Sequence, residues 1–240
     1  MAHRQRTAVR DGAGLADSGA AAILLAEAIA IAVIVARSPA LLLPVSTSSG
    51  STSFVVTQVD VGLGVIVPLA LGALAHLLSA PVRSPAGAAS GPLRWVERSL
   101  SASITLFLIA ELNGIRELGM LVAIYALTSA MVLFGVLQER WTSSPRMLPA
   151  IFAAMIGIVP WGLIAWYEIA PAVLAGGGPT TWVRVLTVLM LVLFLVAGAQ
   201  AWRTPATSRT SRASVVLSVV LRSALAWGVA MAIAGGVGVS

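Results

Sequence analysis

The chain has 240 residues, of which 58% are hydrophobic and only 10% are charged, and its mean hydropathy is +0.96. A soluble domain of this length needs far more surface charge, so the composition excludes that class and indicates a membrane protein. The formal charge is +6, and every basic side chain is arginine because the sequence contains no lysine. Arginines beside apolar segments suit a membrane interface better than nucleic acid. The lack of cysteine excludes disulfides and thiolate metal sites.

Seven apolar runs predict seven membrane-spanning helices in a single domain of residues 1–240. A helix needs about 20 apolar residues to cross a bilayer, and it satisfies its own backbone in lipid. The predicted spans are, in chain order, Ala20–Ala36, Val61–Ala80, Leu93–Ala110, Leu118–Leu137, Leu148–Ile169, Trp182–Ala201 and Ala213–Ala234. The predicted fold class is therefore all-α integral membrane, with the lipid bilayer as the first partner.

The first span also has features of a secretory signal peptide, because Arg4, Arg6 and Arg10 precede it. Its apolar run is longer than a usual signal core, however, and Ser38-Pro39-Ala40 is a weak cleavage site. We therefore favour a retained helix.

The arginines also predict the orientation, because basic residues are enriched on the cytoplasmic side of membrane proteins. With seven spans, ten arginines fall on the side of the N-terminus and three on the other side, while Arg98 and Arg222 lie inside spans. This bias predicts a cytoplasmic tail at residues 1–19, a C-terminus outside, and a multi-pass position in the cell membrane.

The longest outside connection covers residues 38–60. Its middle, Val45–Thr57, is rich in Ser, Thr and Val around Gly50. This pattern predicts a short β-hairpin, but a flexible serine-rich loop has the same composition. The sequence favours neither reading over the other.

Motifs of enzymes and metal sites are missing from the sequence. The two histidines, His3 and His76, lack metal-ligand spacing, and there is no Walker loop, nucleophile elbow or His-Glu-x-x-His motif. We therefore expect neither an enzyme nor a metal site.

Ionisable residues inside the spans are the candidates for function, since their burial in lipid is costly. Glu27 lies midway along the first span, where we expect a protonated carboxyl bonded to a neighbouring helix. His76 lies near the end of the second span and is expected to be a hydrogen-bonded packing residue. Glu111 ends the third span and is expected to face water.

A charged cluster begins the third span. Arg94, Glu97 and Ser101 are spaced by three and four residues and so share one helix face. These residues and Arg98 also fit a set of interfacial charges whose side chains reach water. In that arrangement Glu97 pairs with Arg94 or Arg98.

Arg222 is the most informative charge in the sequence. It lies deep in the seventh span with no other charge nearby, and Ser218 shares its helix face. An arginine cannot lose its charge as a buried lysine can. We therefore expect Arg222 to face the bundle interior and to pair with a carboxylate. The alternative is that it reaches the interface alone.

Two segments resemble the signature motifs of the heliorhodopsin family. Residues 94–103 read Arg-Trp-Val-Glu-Arg-Ser-Leu-Ser-Ala-Ser, similar to the family's Arg-Trp-x-Glu-Tyr-Ser-x-Ser-Ala-Ser. Residues 217–227 read Leu-Ser-Val-Val-Leu-Arg-Ser-Ala-Leu-Ala-Trp, similar to Leu-Ser-x-x-x-Lys-Ser-x-Leu-Ala-Trp. Weaker matches at 134–139 and 157–161, the second ending at Trp161, fall in order along the chain. The resemblance therefore covers essentially all seven spans.

The resemblance implies a rhodopsin-like bundle of seven helices with inverted topology, the N-terminus being inside. It implies that Glu97 stands at the position of the counterion of a protonated retinal Schiff base. It also implies that Arg222 stands where the family has the lysine that carries retinal. Family members are viewed as light sensors or regulators and form dimers, so a homodimer and an unknown regulatory partner are expected.

The departures from the family pattern concern the chromophore. Arg222 replaces the retinal-bearing lysine, and a guanidinium does not form an imine at neutral pH. Arg98 replaces the tyrosine after the counterion, and residues 193–200 lack the expected aromatic and asparagine pattern. We therefore expect no covalent cofactor and leave open the non-covalent binding of retinal or another apolar ligand.

Three functions are consistent with the sequence. The first is a heliorhodopsin-like sensory or regulatory protein without covalent retinal, and the second is a non-covalent carrier or receptor for retinal, a carotenoid or another apolar ligand. The third, a small transporter, is disfavoured by the few interior charges. The candidate site residues are Arg222, Glu97, Ser218, Ser101, His76 and Trp161.

The resemblance further implies that Glu97 and Arg222 face each other, because the family's protonated imine on the seventh helix faces the glutamate on the third. Both residues also lie in the cytoplasmic half of spans that run in the same direction, so we predict that they pair. A guanidinium can hold a carboxylate through two parallel hydrogen bonds. Ser218 and Ser101, each one helical turn away, are expected to satisfy the remaining donors or acceptors. The rival arrangement leaves Arg222 to water.

Overall fold

A computed structural model describes residues 2–79, 90–140, 147–174, 177–203 and 212–235 as seven helices and a β-hairpin. Each predicted span coincides with one helix, except that Ala80 lies outside the described residues. The helices are α1 (Ala2–Arg37), α2 (Val61–Ser79), α3 (Ser90–Leu112), α4 (Leu118–Arg140), α5 (Leu148–Leu174), α6 (Thr181–Arg203) and α7 (Arg212–Ala234).

The N-terminal segment differs from its prediction. Residues 2–19 were expected to form a tail, but they are helical and continuous with the first span in α1. This segment contains polar and charged residues before the apolar run, and a hydropathy pattern alone therefore begins the helix too late in the chain. The consequence is that Asp17 belongs to the bundle, where its side chain is buried.

Six of the seven helices are long and apolar enough to cross a membrane. The exception among the described helices is α3, which is less apolar because it carries Arg94, Glu97, Arg98 and Glu111. Large apolar side chains such as Ile158, Trp166 and Leu195 are exposed on the outside of the bundle. That surface suits lipid, and the chain is a multi-pass, all-α membrane bundle.

Packing between neighbouring helices gives the bundle its interior. α1 packs on both α2 and α7, and the series α2, α3, α4 and α5 continues around the bundle, while α6 packs mainly on α7. Close approach of α6 and α7 needs a glycine, because a Cβ on Gly228 would lie 2.6 Å from Leu186 Cδ1. The largest fully buried side chains include Leu24, Ile31, Leu69, Leu106, Ile109, Leu121, Ile124, Met190 and Leu225.

The predicted β-hairpin is present, and the loop alternative is wrong. Strands β1 (Leu42–Ser49) and β2 (Thr52–Asp60) pair antiparallel, with a bulge after Val45 and a turn at Gly50, whose φ is +61°. Val45 is buried, and the Ser46 N–H donates to the Arg116 carbonyl at 2.8 Å. The hairpin is thus docked on the α3–α4 turn, and we call this side of the bundle the hairpin end.

Candidate functional site: a buried ion pair between α3 and α7

Helix α3 directs the acidic half of the site inward. Glu97 is only 9% exposed and Ser101 is 4% exposed, whereas Val96 and Leu100 on the other faces are exposed. The four-residue spacing places Glu97 and Ser101 one above the other on the same stripe of the helix. The Ser101 hydroxyl donates to Glu97 Oε1 at 2.7 Å, which stabilises a carboxylate away from water.

Helix α7 supplies the basic half. Arg222 is 5% exposed, and its Nη2 group donates to Glu97 Oε1. Its Nη1 group donates to the Ser218 hydroxyl and, at 3.2 Å, to the Ser218 carbonyl. The predicted pair and both predicted serine contacts are therefore present. The rival arrangement that leaves Arg222 to water is wrong, because Arg222 is buried against Glu97.

Space for the guanidinium comes from a glycine on α2. A Cβ on Gly72 would lie 2.9 Å from Arg222 Nε, 3.1 Å from Arg222 Cδ and 3.0 Å from Leu24 Cδ1. Any larger residue at this position would push the arginine or Leu24 aside. Within the described ranges, Arg222 Nε is buried without a hydrogen-bond acceptor. The guanidinium is therefore closely packed on the side that faces Gly72.

Arg98 is oriented differently from Arg222. Its guanidinium carbon lies 5.3 Å from the centroid of the Trp95 ring, within the range of a cation–π interaction. Arg98 therefore adds a cation near the start of α3 that lies over an aromatic ring. Arg98 also lines the cavity described next.

A small polar cavity lies beside the ion pair, on the side away from the hairpin end. Its volume is about 30 Å³, and it is lined by Asp17, His76, Arg94, Glu97, Arg98 and Ser218 among others. This volume admits one or two water molecules. Pockets for drug-sized ligands have volumes of roughly 300 Å³ or more.

His76 lines this cavity and has a partner that sequence reasoning missed. Its Nδ1 lies 3.2 Å from Asp17 Oδ1, and Asp17 is 3% exposed. The expectation that His76 is a hydrogen-bonded packing residue is therefore confirmed. Asp17 was missed because it lies in the segment expected to be a tail. Its position shortly before an apolar run was the available signal.

Glu27 lies on the seam between α1 and α7. Its two carboxyl oxygens accept hydrogen bonds from Ser223 Oγ at 2.7 Å and from Trp227 Nε1 at 3.3 Å. Bonding to a neighbouring helix is thus confirmed, while the protonation state stays a prediction. Glu27 is half-buried and Trp227 is 38% exposed, so this seam opens toward lipid.

Trp161, the remaining candidate, packs between α5 and α6. Its ring meets Phe194 edge to face, with centroids 5.5 Å apart. It does not line the cavity beside the ion pair. The structure therefore brings together Arg222, Glu97, Ser218, Ser101 and His76 and leaves Trp161 in a separate apolar contact.

Glu111 corrects a further expectation. It was predicted to face water, but its side chain is 0% exposed. Residues 113–117 turn back over the end of α3, and the docked hairpin lies on that turn. The burial is thus created by tertiary contacts that a hydropathy pattern does not show.

The chain also matches a known protein family. A family model described as Heliorhodopsin matches residues 13–233, which is nearly the whole chain and includes both members of the ion pair. None of the curated proteins matches the chain. The chain belongs to the heliorhodopsin family.

Proposed function

We propose that this heliorhodopsin-family protein is a sensory or regulatory membrane protein that works without covalently bound retinal. The observation that carries the proposal is the contact between Arg222 and Glu97. The resemblance implies that the first residue stands at the position of the retinal-bearing lysine and the second at the position of the counterion. In this chain a fixed cation of the protein takes the place of the chromophore's charge.

The residues present do not fit covalent retinal. Imine formation needs a primary amine, and a guanidinium is not nucleophilic at neutral pH. No lysine occurs anywhere in the chain to replace Arg222. The cavity beside the ion pair, at about 30 Å³, is also about tenfold smaller than a typical ligand pocket.

The ion pair supports a stabilising role in place of a catalytic one. Arg222 reaches from α7 to α3, and its contacts with Glu97 and Ser218 engage two of its nitrogens. A buried pair of this kind fixes the relative position of the two helices, because separating them would leave a buried charge without its partner. We therefore propose that the pair holds the bundle in one state, with no enzymatic step.

The orientation and the location in the cell membrane are parts of the same proposal. The excess of arginines on the side of the N-terminus supports a cytoplasmic N-terminus and a hairpin on the outside. In this orientation the cavity lined by Asp17 and His76 lies in the cytoplasmic half of the bundle. A cytoplasmic regulatory partner would meet that half.

We also propose a homodimer formed through the hairpin. Strand β2 is an edge strand in the described structure, and its residues Phe54, Val55 and Val56 are all more than half exposed. An exposed apolar edge strand is a ready site for pairing with another chain. A second copy of the hairpin would cover this edge.

Retinal addition tests the proposed function. We expect that wild-type protein mixed with all-trans retinal shows no visible absorption band and no borohydride-trapped adduct in the bundle. A trapped adduct that maps to any span would refute the proposal. A visible band without a trapped adduct would favour the non-covalent carrier.

Arg222→Lys is the companion variant, because it restores a primary amine at the family position. We expect it to stay colourless with retinal, since the surrounding cavity is too small. A coloured, borohydride-sensitive product would show that a retinal pocket persists and that only the lysine has been lost. In that case the cavity size does not exclude retinal, and the non-covalent carrier is favoured, while the lack of a covalent link in the wild type still follows from Arg222.

A further inference from the structure

A second buried carboxyl lies at the hairpin end and takes no part in the proposed function. Glu111 is 14 residues beyond Glu97 on α3, which places it about 20 Å further along the helix. Its side chain is fully buried, and among the described residues neither carboxyl oxygen has a hydrogen-bond donor. An ionised carboxylate without donors is costly to bury, whereas a neutral carboxylic acid carries its own O–H donor.

Asn113 leaves another acceptor at the same helix end. Its side-chain amide donates to the Ile109 carbonyl and to Thr187 Oγ1, both at 2.8 Å. Its Oδ1 atom is buried without a donor in the part of the chain that the structure describes. Among the described residues, the end of α3 thus holds three buried acceptor oxygens without donors, two on Glu111 and one on Asn113. A proton on the Glu111 carboxyl would supply one donor.

The helix end itself disfavours negative charge. Gly114, with φ +89°, reverses the chain, and the Ile115 N–H donates to the Ala110 carbonyl at 3.0 Å to close α3. The C-terminus of a helix carries a partial negative charge, so a carboxylate in the last turn is destabilised there. This effect adds to the cost of burial.

Arg116 is hydrogen-bonded both to the backbone of Glu111 and to the hairpin. Its Nη1 group donates to the backbone carbonyl of Glu111 at 2.7 Å, and its own carbonyl accepts the Ser46 N–H at 2.8 Å. Burial lowers the pKa of Arg116 from its usual value, and the Glu111 carboxylate raises it. The guanidinium nonetheless stays protonated at ordinary pH. One residue therefore holds both the end of α3 and strand β1.

Arg116 is the charged group that interacts electrostatically with Glu111. Other charges at this end are engaged elsewhere, since Glu168 interacts with Arg184 and the Asp60 carboxylate accepts the Leu63 N–H. Arg37 is exposed at the end of α1, and Glu117, just before α4, forms a β-bridge with Ser46. No histidine lies on the described elements at this end.

We propose that Glu111 is a proton-binding site that controls the docking of the hairpin. With its proton, Glu111 is neutral, and Arg116 holds the α3 carbonyl and strand β1 in the observed arrangement. When the proton leaves to water, the new carboxylate is costly to keep buried, so it favours a form in which the α3–α4 turn opens to water. The hairpin, which is hydrogen-bonded to that turn through the Arg116 carbonyl, loosens with it. The docked form binds the proton more tightly than the released form does, so docking is strongest at low pH and weakens as pH rises.

A spin label on the hairpin tests this proposal. The chain has no cysteine, so Ser48→Cys, at an exposed position on β1 and away from the proposed dimer edge, carries a single nitroxide whose mobility reports docking. Between about pH 6 and about pH 9 we expect the ratio of mobile to immobile label to rise, approaching about tenfold per pH unit if one proton controls the equilibrium. Glu111→Gln in the same background should keep the label immobile throughout.

Glu117→Gln is the matched control, because it neutralises a half-buried carboxyl on the same turn. It should respond to pH as the parent does. A Glu111→Gln variant that follows the parental curve, or whose label is mobile at every pH, would overturn the proposal. Melting temperature gives a label-free check, since it should fall with rising pH in the wild type and stay level in Glu111→Gln. A pH-dependent fall in the variant would equally reject the idea.

Discussion

The guanidinium of Arg222 on α7 contacts the carboxylate of Glu97 on α3, although the two residues are 125 positions apart in the chain. Ser101 and Ser218, each four residues from one partner, complete the contact with hydrogen bonds to the carboxylate and the guanidinium. Both charges are buried among helices whose outer surfaces are apolar. Their mutual dependence is the basis of the first two predictions.

A double-mutant cycle should show strong coupling between these residues. Glu97→Gln or Arg222→Met alone should each cost roughly 3–5 kcal/mol, because a buried charge is left without its partner. The double variant should lose much less than the sum, since no unpaired charge remains. Thermal stability in detergent measures all four proteins. Additive losses would reject the pair.

Gly72→Ala should destabilise the protein by roughly 1–3 kcal/mol, because the added Cβ would lie 2.9 Å from Arg222 Nε. Gly162→Ala is the matched control, since a Cβ at that position of α5 meets nothing within 4 Å. The penalty should shrink when Gly72→Ala is combined with Arg222→Met, which removes the crowded nitrogen. An equal penalty in both backgrounds would place the clash on Leu24 instead.

The orientation predicts where the C-terminus lies. A reporter fused after Ser240 should be active only on the outside of the cell, because seven spans carry the chain across an odd number of times. The same reporter fused at the N-terminus should be active only in the cytoplasm. A cytoplasmic C-terminus would contradict both the number of spans and the inverted topology.

The hairpin should mediate dimerisation. Val55→Lys puts a charge on the exposed edge strand β2 and should shift any dimer in detergent toward monomer, since charged side chains block edge pairing. Ser51→Lys adds the same charge at the nearby turn and serves as the control. Size-exclusion chromatography with light scattering measures the effect. A dimer that is unchanged by Val55→Lys would count against this interface.

The sequence predicted the seven helices well, because each apolar run must hide its backbone from lipid and helix is the structure that does so. It also predicted the Arg222–Glu97 pair, but only with the help of the family resemblance, which implies that these two positions face each other. The depth of Arg222 by itself required a carboxylate partner. It did not exclude the pairing of Glu97 with Arg94 or Arg98.

Three structural features could not be predicted, because they depend on tertiary contacts that the sequence does not show. Asp17 belongs to the site only because α1 continues through the polar residues that precede its apolar run. Glu111 is buried only because the α3–α4 turn and the hairpin fold over it. The hairpin itself could not be separated from a loop, since its docking through Ser46 and Arg116 joins residues 70 positions apart.

The polarity of α3 also constrains how the ribosome and the insertion machinery deliver this chain to the membrane. α3 is the described helix that falls short of spanning hydropathy, because it carries four charged residues, and charged side chains make insertion into the bilayer more costly. The cation that pairs with Glu97 lies on α7, which is synthesised after α3, α4, α5 and α6. Until α7 is present, the hydrogen bond from Ser101 within α3 supports the Glu97 carboxylate. The ion pair can therefore form only when the bundle is nearly complete.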